Sequence, residues 1–207
     1  MNKLALLYGT GNPAKLYGMR EALTSLDVEI VGLKDMEKAP PTVSESGNTP
    51  LENAREKALA YFEFYGVPVF SLDSGLYFDN VTDNEQPGVH VRNVAGKRLT
   101  DNEMIAYYCG LARKYGGKLT ARYKNAICLA ASETKILQSM DESFWGAPFY
   151  IVDKPHKRPH QAGFPLDRLS VNISSGKYYY DLLKAVETEM YKGFRQFFEN
   201  LLKEKII

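Results

Sequence analysis

Apolar residues along this chain fall into short runs of strand length and longer stretches with helical spacing. The short runs that predict strands are 4–8, 67–72, 76–78, 118–131 and 135–145. The stretches that predict helices run from Pro13, Pro50, Leu99 and Tyr178. The two strand runs joined at 132–134 have the pattern of an antiparallel hairpin. This order predicts an α/β fold in which parallel and antiparallel strands share a sheet.

A polar turn follows the first predicted strand where a helix begins. Thr10, Gly11 and Asn12 are turn and N-cap residue types, and Pro13 suits a first helical position. A strand, a tight turn and a helix N-terminus present free N–H groups and a positive dipole end to one point, which favours an anion. Lys15 lies one turn into the helix and can reach the same anion. The alternative is a plain turn with a solvated lysine, and the Walker spacing is absent.

Two carboxylates lie near the second predicted helix and the strand after it. Glu52 falls in the first turn of the helix that follows Thr49, and Asp73 directly follows the strand 67–72. A carboxylate at the carboxyl end of a strand lies on the edge where α/β sheets bind ligands. Two hard oxygen ligands, completed by water and phosphate oxygens, suit Mg²⁺. We therefore predict a magnesium site at Glu52 and Asp73, although a first-turn acid also stabilises a helix without any metal.

Composition and charge limit the possible partners. The chain has 207 residues, 44% hydrophobic and 25% charged, which predicts a single domain over 1–207. A formal net charge of +1 gives no broad field for a polyanion, so we expect no nucleic-acid partner. The opening apolar run is too short for a secretory or membrane segment, so we expect no membrane association and a cytoplasmic location. Cys109 and Cys128 lack metal or redox spacing and are expected to be reduced.

A loop-rich stretch occupies 151–176 and contains several prolines. We expect it to cover a ligand, and a merely solvated, flexible loop is the alternative. His156 and His160 have the spacing of metal ligands on a helix, but the flanking prolines oppose a helix. We therefore expect no metal at these histidines.

Three polar motifs occur in a fixed order along the first half of the chain. They are Thr-Gly-Asn-Pro-x-Lys at 10–15, Glu-Asn-Ala-x-x-Lys-Ala at 52–58 and Asp-Ser-Gly-Leu-x-x-Asp at 73–79, followed by Pro-Gly-Val at 87–89. This order resembles the inosine triphosphate pyrophosphatase family, strongly up to Lys97 and weakly beyond it. The resemblance implies an elongated mixed β-sheet flanked by helices, two lobes with the active-site cleft between them, and a homodimer. It also implies Mg²⁺-dependent hydrolysis of nucleoside triphosphates, such as the deaminated purines ITP, dITP and XTP, to the monophosphate and pyrophosphate.

The resemblance also implies roles for individual residues. Substrate binding falls to Thr10, Gly11, Asn12, Lys15, Ser74, Gly75, Phe164, Asp167 and Lys192, catalysis to Asp73, Lys15 and Lys57, and metal binding to Glu52 and Asp73. In this interpretation Asp73 orients or activates water, while Lys15 and Lys57 offset developing charge. Phe164 offers a face on which a base can stack, and Asp167 offers an acceptor for a ring N–H or amino group.

The sequence departs from the family pattern at several positions. Leu72 stands where the family usually has an acidic residue before Asp73. Arg92 comes one place before the family's basic residue, at whose position this chain has Asn93. The family's base-reading Ser-His-Arg corresponds to residues 190–192, where the last position is a lysine. A single ammonium does not reproduce arginine's planar fork, so we expect retained chemistry with altered or relaxed base selectivity.

Two other functions stay open at this point. One is a nucleotide-binding or sensing protein with weakened catalysis, as the loss of the acidic residue and of Ser-His-Arg suggests. The other is an α/β interaction domain whose polar turns are coincidental.

Overall fold

The computed structural model describes residues 3–160, 164–182 and 189–205. The strands are β1 (Leu4–Tyr8), β2 (Val28–Gly32), β3 (Val69–Phe78), β4 (Asn93–Val94), β5 (Lys97–Arg98), β6 (Lys118–Ser132), β7 (Lys135–Ser139), β8 (Phe149–Val152) and β9 (Ser170–Asn172). The helices are α1 (Pro13–Ala22), α2 (Pro50–Tyr65), α3 (Asp101–Lys114) and α4 (Glu189–Lys203). None of these described helices combines the length and apolar character that crossing a bilayer requires.

Seven strands form one mixed sheet in the order β2-β1-β3-β6-β8-β9, with β7 also paired to β6. Strand β1 runs parallel to β2 and β3. Strand β6 is antiparallel to β7 and β8, and β8 is antiparallel to β9. The predictions of an α/β fold with a mixed sheet and of the hairpin formed by β6 and β7 are confirmed.

The chain divides into two compact units. The first comprises Met1–Ser74, Lys124–Gly146 and Glu187–Ile207, and the second comprises Gly75–Tyr123 and Ala147–Val186. Strands β3 and β6 each supply residues to both units. The prediction of a single domain over the whole chain stays a prediction.

The first unit is built around β1, α1, α2 and α4. Its main core includes the fully buried Tyr8, Phe70 and Phe198. The rings of Tyr8 and Phe70 stack with centroids 4.5 Å apart. Helix α1 packs on α4 at Gly18, where an added Cβ would lie 2.0 Å from Oη of Tyr191. A larger residue would overlap that phenol unless Tyr191 moved, so the glycine permits this close approach.

The second unit has a core of its own, formed by α3, β8 and the second half of β3. The core includes Tyr108, Leu119 and Ile151, all nearly or fully buried. Helix α3 begins with a capping box, in which the Thr100 hydroxyl accepts from Glu103 N and the Glu103 carboxylate accepts from Thr100 N.

Strand β3 is longer than the sequence predicts. The two predicted strands 67–72 and 76–78 are one continuous strand that passes through Asp73, Ser74 and Gly75. An added Cβ at Gly75 would lie 3.0 Å from the carbonyl carbon and oxygen of Gly88. The glycine therefore permits a close backbone approach instead of marking a turn.

Two other predicted elements differ in extent. The strand predicted over 135–145 ends at Ser139, and a 3₁₀ turn at Glu142–Phe144 follows it. The Asp141 side chain caps this turn by accepting from Ser143 N, which favours the turn over further strand. Of the helix predicted from Tyr178, the described residues include α4 (Glu189–Lys203), and a 3₁₀ turn occupies Tyr179–Asp181. Its predicted part at 183–188 lies outside the described residues.

Candidate active site

The predicted polar turn caps helix α1. Asn12 is the N-cap residue, and its Oδ1 accepts from the backbone nitrogens of Ala14 at 2.9 Å and Lys15 at 3.4 Å. The hydroxyl of Thr10 in turn accepts from Asn12 N at 3.2 Å. These bonds fix the turn between β1 and α1, so that the positive end of the helix dipole is held at the carboxyl end of a parallel strand.

A lysine links two acidic side chains beside this turn. Nζ of Lys57 lies 2.8 Å from Oδ1 of Asp73 and 3.2 Å from Oε2 of Glu45. Asp73 is 8% exposed, whereas the Glu45 side chain is about half exposed. The buried contact is therefore the one between Lys57 and Asp73, and Glu45 completes a cluster of one cation and two anions.

A buried amide holds the other oxygen of Asp73. Nδ2 of Asn53 donates to Oδ2 of Asp73 at 3.1 Å, and Oδ1 of Asn53 accepts from Gly47 N at 2.8 Å. Asn53 is 3% exposed. With Lys57 on Oδ1 and Asn53 on Oδ2, the carboxylate is fixed in one orientation in which it serves only as an acceptor.

These groups surround an open cavity of about 300 Å³ within the first unit. Its lining residues are Gly9, Thr10, Gly11, Asn12, Lys15, Glu45, Lys57, Tyr61, Leu72 and Asp73. Six residues that the sequence assigns to substrate binding or catalysis therefore line one cavity. It lies at the carboxyl ends of β1 and of the parallel part of β3, the edge where α/β sheets bind ligands.

Lys15 is a cation in unfavourable surroundings. Burial, followed by the nearby charge of Lys57, lowers the pKa of its ammonium, while Asp73 and Glu45 act in the opposite direction. An anion in the cavity would favour the charged form of Lys15, because opposite charges stabilise each other. The site therefore gains electrostatic stability from an anionic ligand.

Glu52 has a structural role in α2. Its Oε2 accepts from Asn48 N at 2.6 Å and from Thr49 N at 3.1 Å, which completes a capping box. Its predicted role as a metal ligand stays a prediction. Within the described part of the chain, no group of three or more His, Cys, Asp or Glu side chains is arranged to hold a metal ion.

The remaining predicted residues lie elsewhere. Ser74 lines a smaller cavity of the first unit, and Lys192 is exposed on α4. Gly75, Phe164 and Asp167 belong to the second unit. The Phe164 ring is 44% exposed. Burial raises the pKa of Asp167.

Arg92, His156 and His160 of the second unit each contact an acidic side chain. Arg92 forms an ion pair of 2.7 Å with Asp101, and Nε2 of His160 lies 3.1 Å from the other oxygen of that carboxylate. Nε2 of His156 lies 3.3 Å from Oδ1 of Asp181. These pairs account for the three side chains as local structural contacts.

Glu45, Asn53 and Tyr61 have no predicted role in the site, although they contact or line it. Glu45 lies in a polar segment without hydrophobic periodicity, so no pattern marks it. Asn53, Lys57 and Tyr61 are four residues apart in turn, a spacing that places them on one face of α2. That spacing was a usable signal, because a buried amide and a lysine interrupt an otherwise apolar stripe.

The fold and the cavity together define an α/β protein with a charged site at the carboxyl edge of parallel strands. The chain belongs to the Ham1 family, whose model matches residues 6–169. It is 32% identical over 169 residues to a dITP/XTP pyrophosphatase of Exiguobacterium sp., covering 74% of this chain and 83% of that protein. It is 36% identical over 173 residues to a dITP/XTP pyrophosphatase of Lactobacillus acidophilus, covering 73% and 83%.

Solved structures agree on the fold. A HAM1 protein from Coxiella burnetii superposes with a TM-score of 0.75 at 24% identity, covering 97% of this chain and 99% of that one. The Ham1 protein of Staphylococcus aureus gives a TM-score of 0.69 at 19% identity, with the same coverage. The family resemblance drawn from the three motifs is confirmed.

Proposed function

We propose that this protein hydrolyses non-standard purine nucleoside triphosphates, such as ITP, dITP and XTP, to the monophosphate and pyrophosphate. The observation that carries the proposal is the membership in the Ham1 family with relatives named dITP/XTP pyrophosphatase. The charged cavity at the α1 N-terminus supports it, since a triphosphate needs several converging cations and donors. The role of such an enzyme is to remove damaged nucleotides from the precursor pool.

The geometry of Asp73 suits it to orient the attacking water. Its carboxylate is held by Lys57 and Asn53 and serves as an acceptor for a water proton. Attack on the α-phosphorus would release pyrophosphate in one piece. Lys15 and Lys57 would offset the charge that develops on the phosphate oxygens.

We propose Mg²⁺ as the cofactor, with the carboxylates of Asp73 and Glu45 as its first candidate ligands. Both contact Lys57 and both line the cavity, so the donor set is the hard oxygen type that Mg²⁺ prefers. When bound, the ion would neutralise phosphate charge. Glu52, the other candidate, is engaged by two backbone nitrogens of its capping box.

Two matched variants distinguish the candidate ligands. Glu45→Gln should raise the Mg²⁺ concentration needed for half-maximal pyrophosphate release by about tenfold or more. Glu52→Gln should leave it unchanged, because glutamine can also complete a capping box. If Glu52→Gln raises the Mg²⁺ requirement and Glu45→Gln does not, the assignment to Glu45 is wrong.

We propose that Phe164 and Asp167 bind the base of the substrate and that Lys192 modifies the selectivity between bases. The exposed ring of Phe164 offers a stacking face, and Asp167 offers an acceptor. Lys192→Ala should change the ratio of kcat/KM between bases more than the rate on the best substrate, and a uniform effect would argue for positioning alone. We also propose a cytoplasmic location, and a homodimer as the family resemblance implies; light scattering of the purified protein would test the dimer.

The first experiment is a panel of nucleoside triphosphates with and without Mg²⁺, followed by pyrophosphate release. We expect Mg²⁺-dependent release, fastest with deaminated purines, and no release by Asp73→Asn, which should fold normally. Preference for a common base would show a changed specificity. Binding without release from any triphosphate would favour a sensing protein instead.

A further inference from the structure

Tyr8 is the last residue of β1 and directly precedes the turn that caps α1. Its side chain is fully buried. Among the residues that the structure describes, its hydroxyl has no hydrogen-bond partner. Buried hydroxyl groups nearly always have a partner, because leaving one without costs free energy. An exception next to a proposed active site calls for a functional explanation.

A second donor that has no partner among the described residues lines the same cavity as this hydroxyl. The ammonium of Lys15 makes no hydrogen bond or ion pair with any other part of the described chain. Tyr8 and Lys15 line the same small cavity of about 40 Å³, together with Leu72, Ser74 and Tyr191. Lys15 and Leu72 also line the larger charged cavity, so the two spaces share a wall.

The chemistry of the two groups selects the ligand. An ammonium offers donors only, and the Tyr8 phenol stays protonated because burial, then the proximity of Tyr191 and Asp73, raises its pKa. The small cavity is also lined by Asn125. The amide nitrogen of Asn125 already donates to Phe144 O at 2.6 Å. Two donors without partners call for an anionic acceptor, and a phosphate chain in the neighbouring cavity would supply one.

We propose that the Tyr8 hydroxyl and the Lys15 ammonium together bind one anionic oxygen of the substrate's phosphate chain. Tyr8 is then a phosphate-binding residue in its own right, in addition to the residues of the polar turn. The inference rests on the proposed function for the identity of the substrate. That the described residues offer the Tyr8 hydroxyl no partner follows directly, since its partner arrives with the ligand.

Tyr8→Phe tests this assignment, because it removes one oxygen and keeps the ring stacked on Phe70. The probe is inorganic tripolyphosphate, which has no base, measured as a competitive inhibitor of pyrophosphate release. We expect its inhibition constant to rise about tenfold or more, as for a lost hydrogen bond to a charged group, and kcat/KM to fall similarly. The melting temperature should stay the same or rise, because no protein partner is lost.

Tyr108→Phe is the matched control. Its hydroxyl donates to Val91 O at 2.8 Å in the second unit, so this variant should lower the melting temperature and leave tripolyphosphate inhibition unchanged. A Tyr8→Phe protein with unchanged inhibition and unchanged kcat/KM would overturn the proposal and leave Tyr8 satisfied by an internal water alone. If the parent protein releases no pyrophosphate, the proposed function fails. In that case, calorimetric binding of tripolyphosphate to the parent protein and to Tyr8→Phe decides the role of Tyr8. No binding to the parent would overturn the proposal for Tyr8.

Discussion

Replacing Asn53 by alanine should weaken both the fold and the reaction. The change removes the bond to Oδ2 of Asp73 and the bond from Gly47 N, and both Asn53 and Gly47 are buried. An unsatisfied buried N–H costs about 1 to 3 kcal/mol, and a lost bond to a carboxylate costs a similar amount. Because water entering the vacated space recovers part of this, we expect a loss of about 2 to 4 kcal/mol in the free energy of unfolding.

The assay combines urea denaturation with steady-state kinetics of pyrophosphate release. With one of its oxygens released, Asp73 should lose its fixed orientation, so that kcat falls while KM changes little.

Gln86→Ala is the control for the loss of hydrogen bonds as such. The Gln86 side chain donates to Phe78 O at 2.6 Å and accepts from Phe78 N at 2.9 Å, so the change also removes one donated and one accepted bond. The stability of Gln86→Ala should fall about as much as that of Asn53→Ala, while its kcat per folded molecule should equal that of the parent. If Asn53→Ala lowers stability but keeps the parent kcat, Asn53 supports the fold alone and does not orient Asp73.

Two further predictions concern packing and pH. Gly193→Ala should destabilise the protein by about 1 to 3 kcal/mol or more in thermal unfolding, since the new Cβ would lie 2.1 Å from Ser143 O. Gly110→Ala should stabilise it by about 0.5 to 1 kcal/mol, since its new Cβ would have no described atom within 4 Å. Equal melting temperatures for the two variants would contradict the packing argument. Hydrogen bonds, first from Lys114, lower the pKa of Glu85 from 4.5 to about 2. The carboxylate therefore stabilises the fold fully above pH 4.5, and this contribution is lost as the pH falls to about 2. The melting-temperature difference between parent and Glu85→Gln should shrink over the same range, and a difference independent of pH would refute the assignment.

Local signals in the sequence predict the elements that position the site. Pro13 after Asn12 and Pro50 after Thr49 mark helix starts that the structure has at the same residues. Capping requires particular side chains at fixed offsets, so it can be recognised in one short segment. The positions of Lys15 and Asp73 on one cavity also follow, because parallel strands bring their carboxyl ends to one edge.

The features that the sequence did not predict depend on contacts between distant segments. Strand β3 continues through Gly75 because Gly88 approaches it, which no local pattern shows. Glu45 reaches the site through its contact with Lys57, twelve residues along the chain. In the sequence, Tyr8 is one residue of an ordinary apolar strand. Only the structure shows that its buried hydroxyl has no hydrogen-bond partner among the described residues.

The contact between Gly18 and Tyr191 couples two positions that are far apart in the chain. A single carbon added at residue 18 would overlap the Tyr191 phenol. The side chains at positions 18 and 191 therefore compete for the same space. A larger residue on α1 is compatible only with a smaller one at 191, so the two positions are expected to covary among related sequences. Because Tyr191 lines the small cavity beside Lys15, the size of that cavity is set in part by a glycine that is not in its wall.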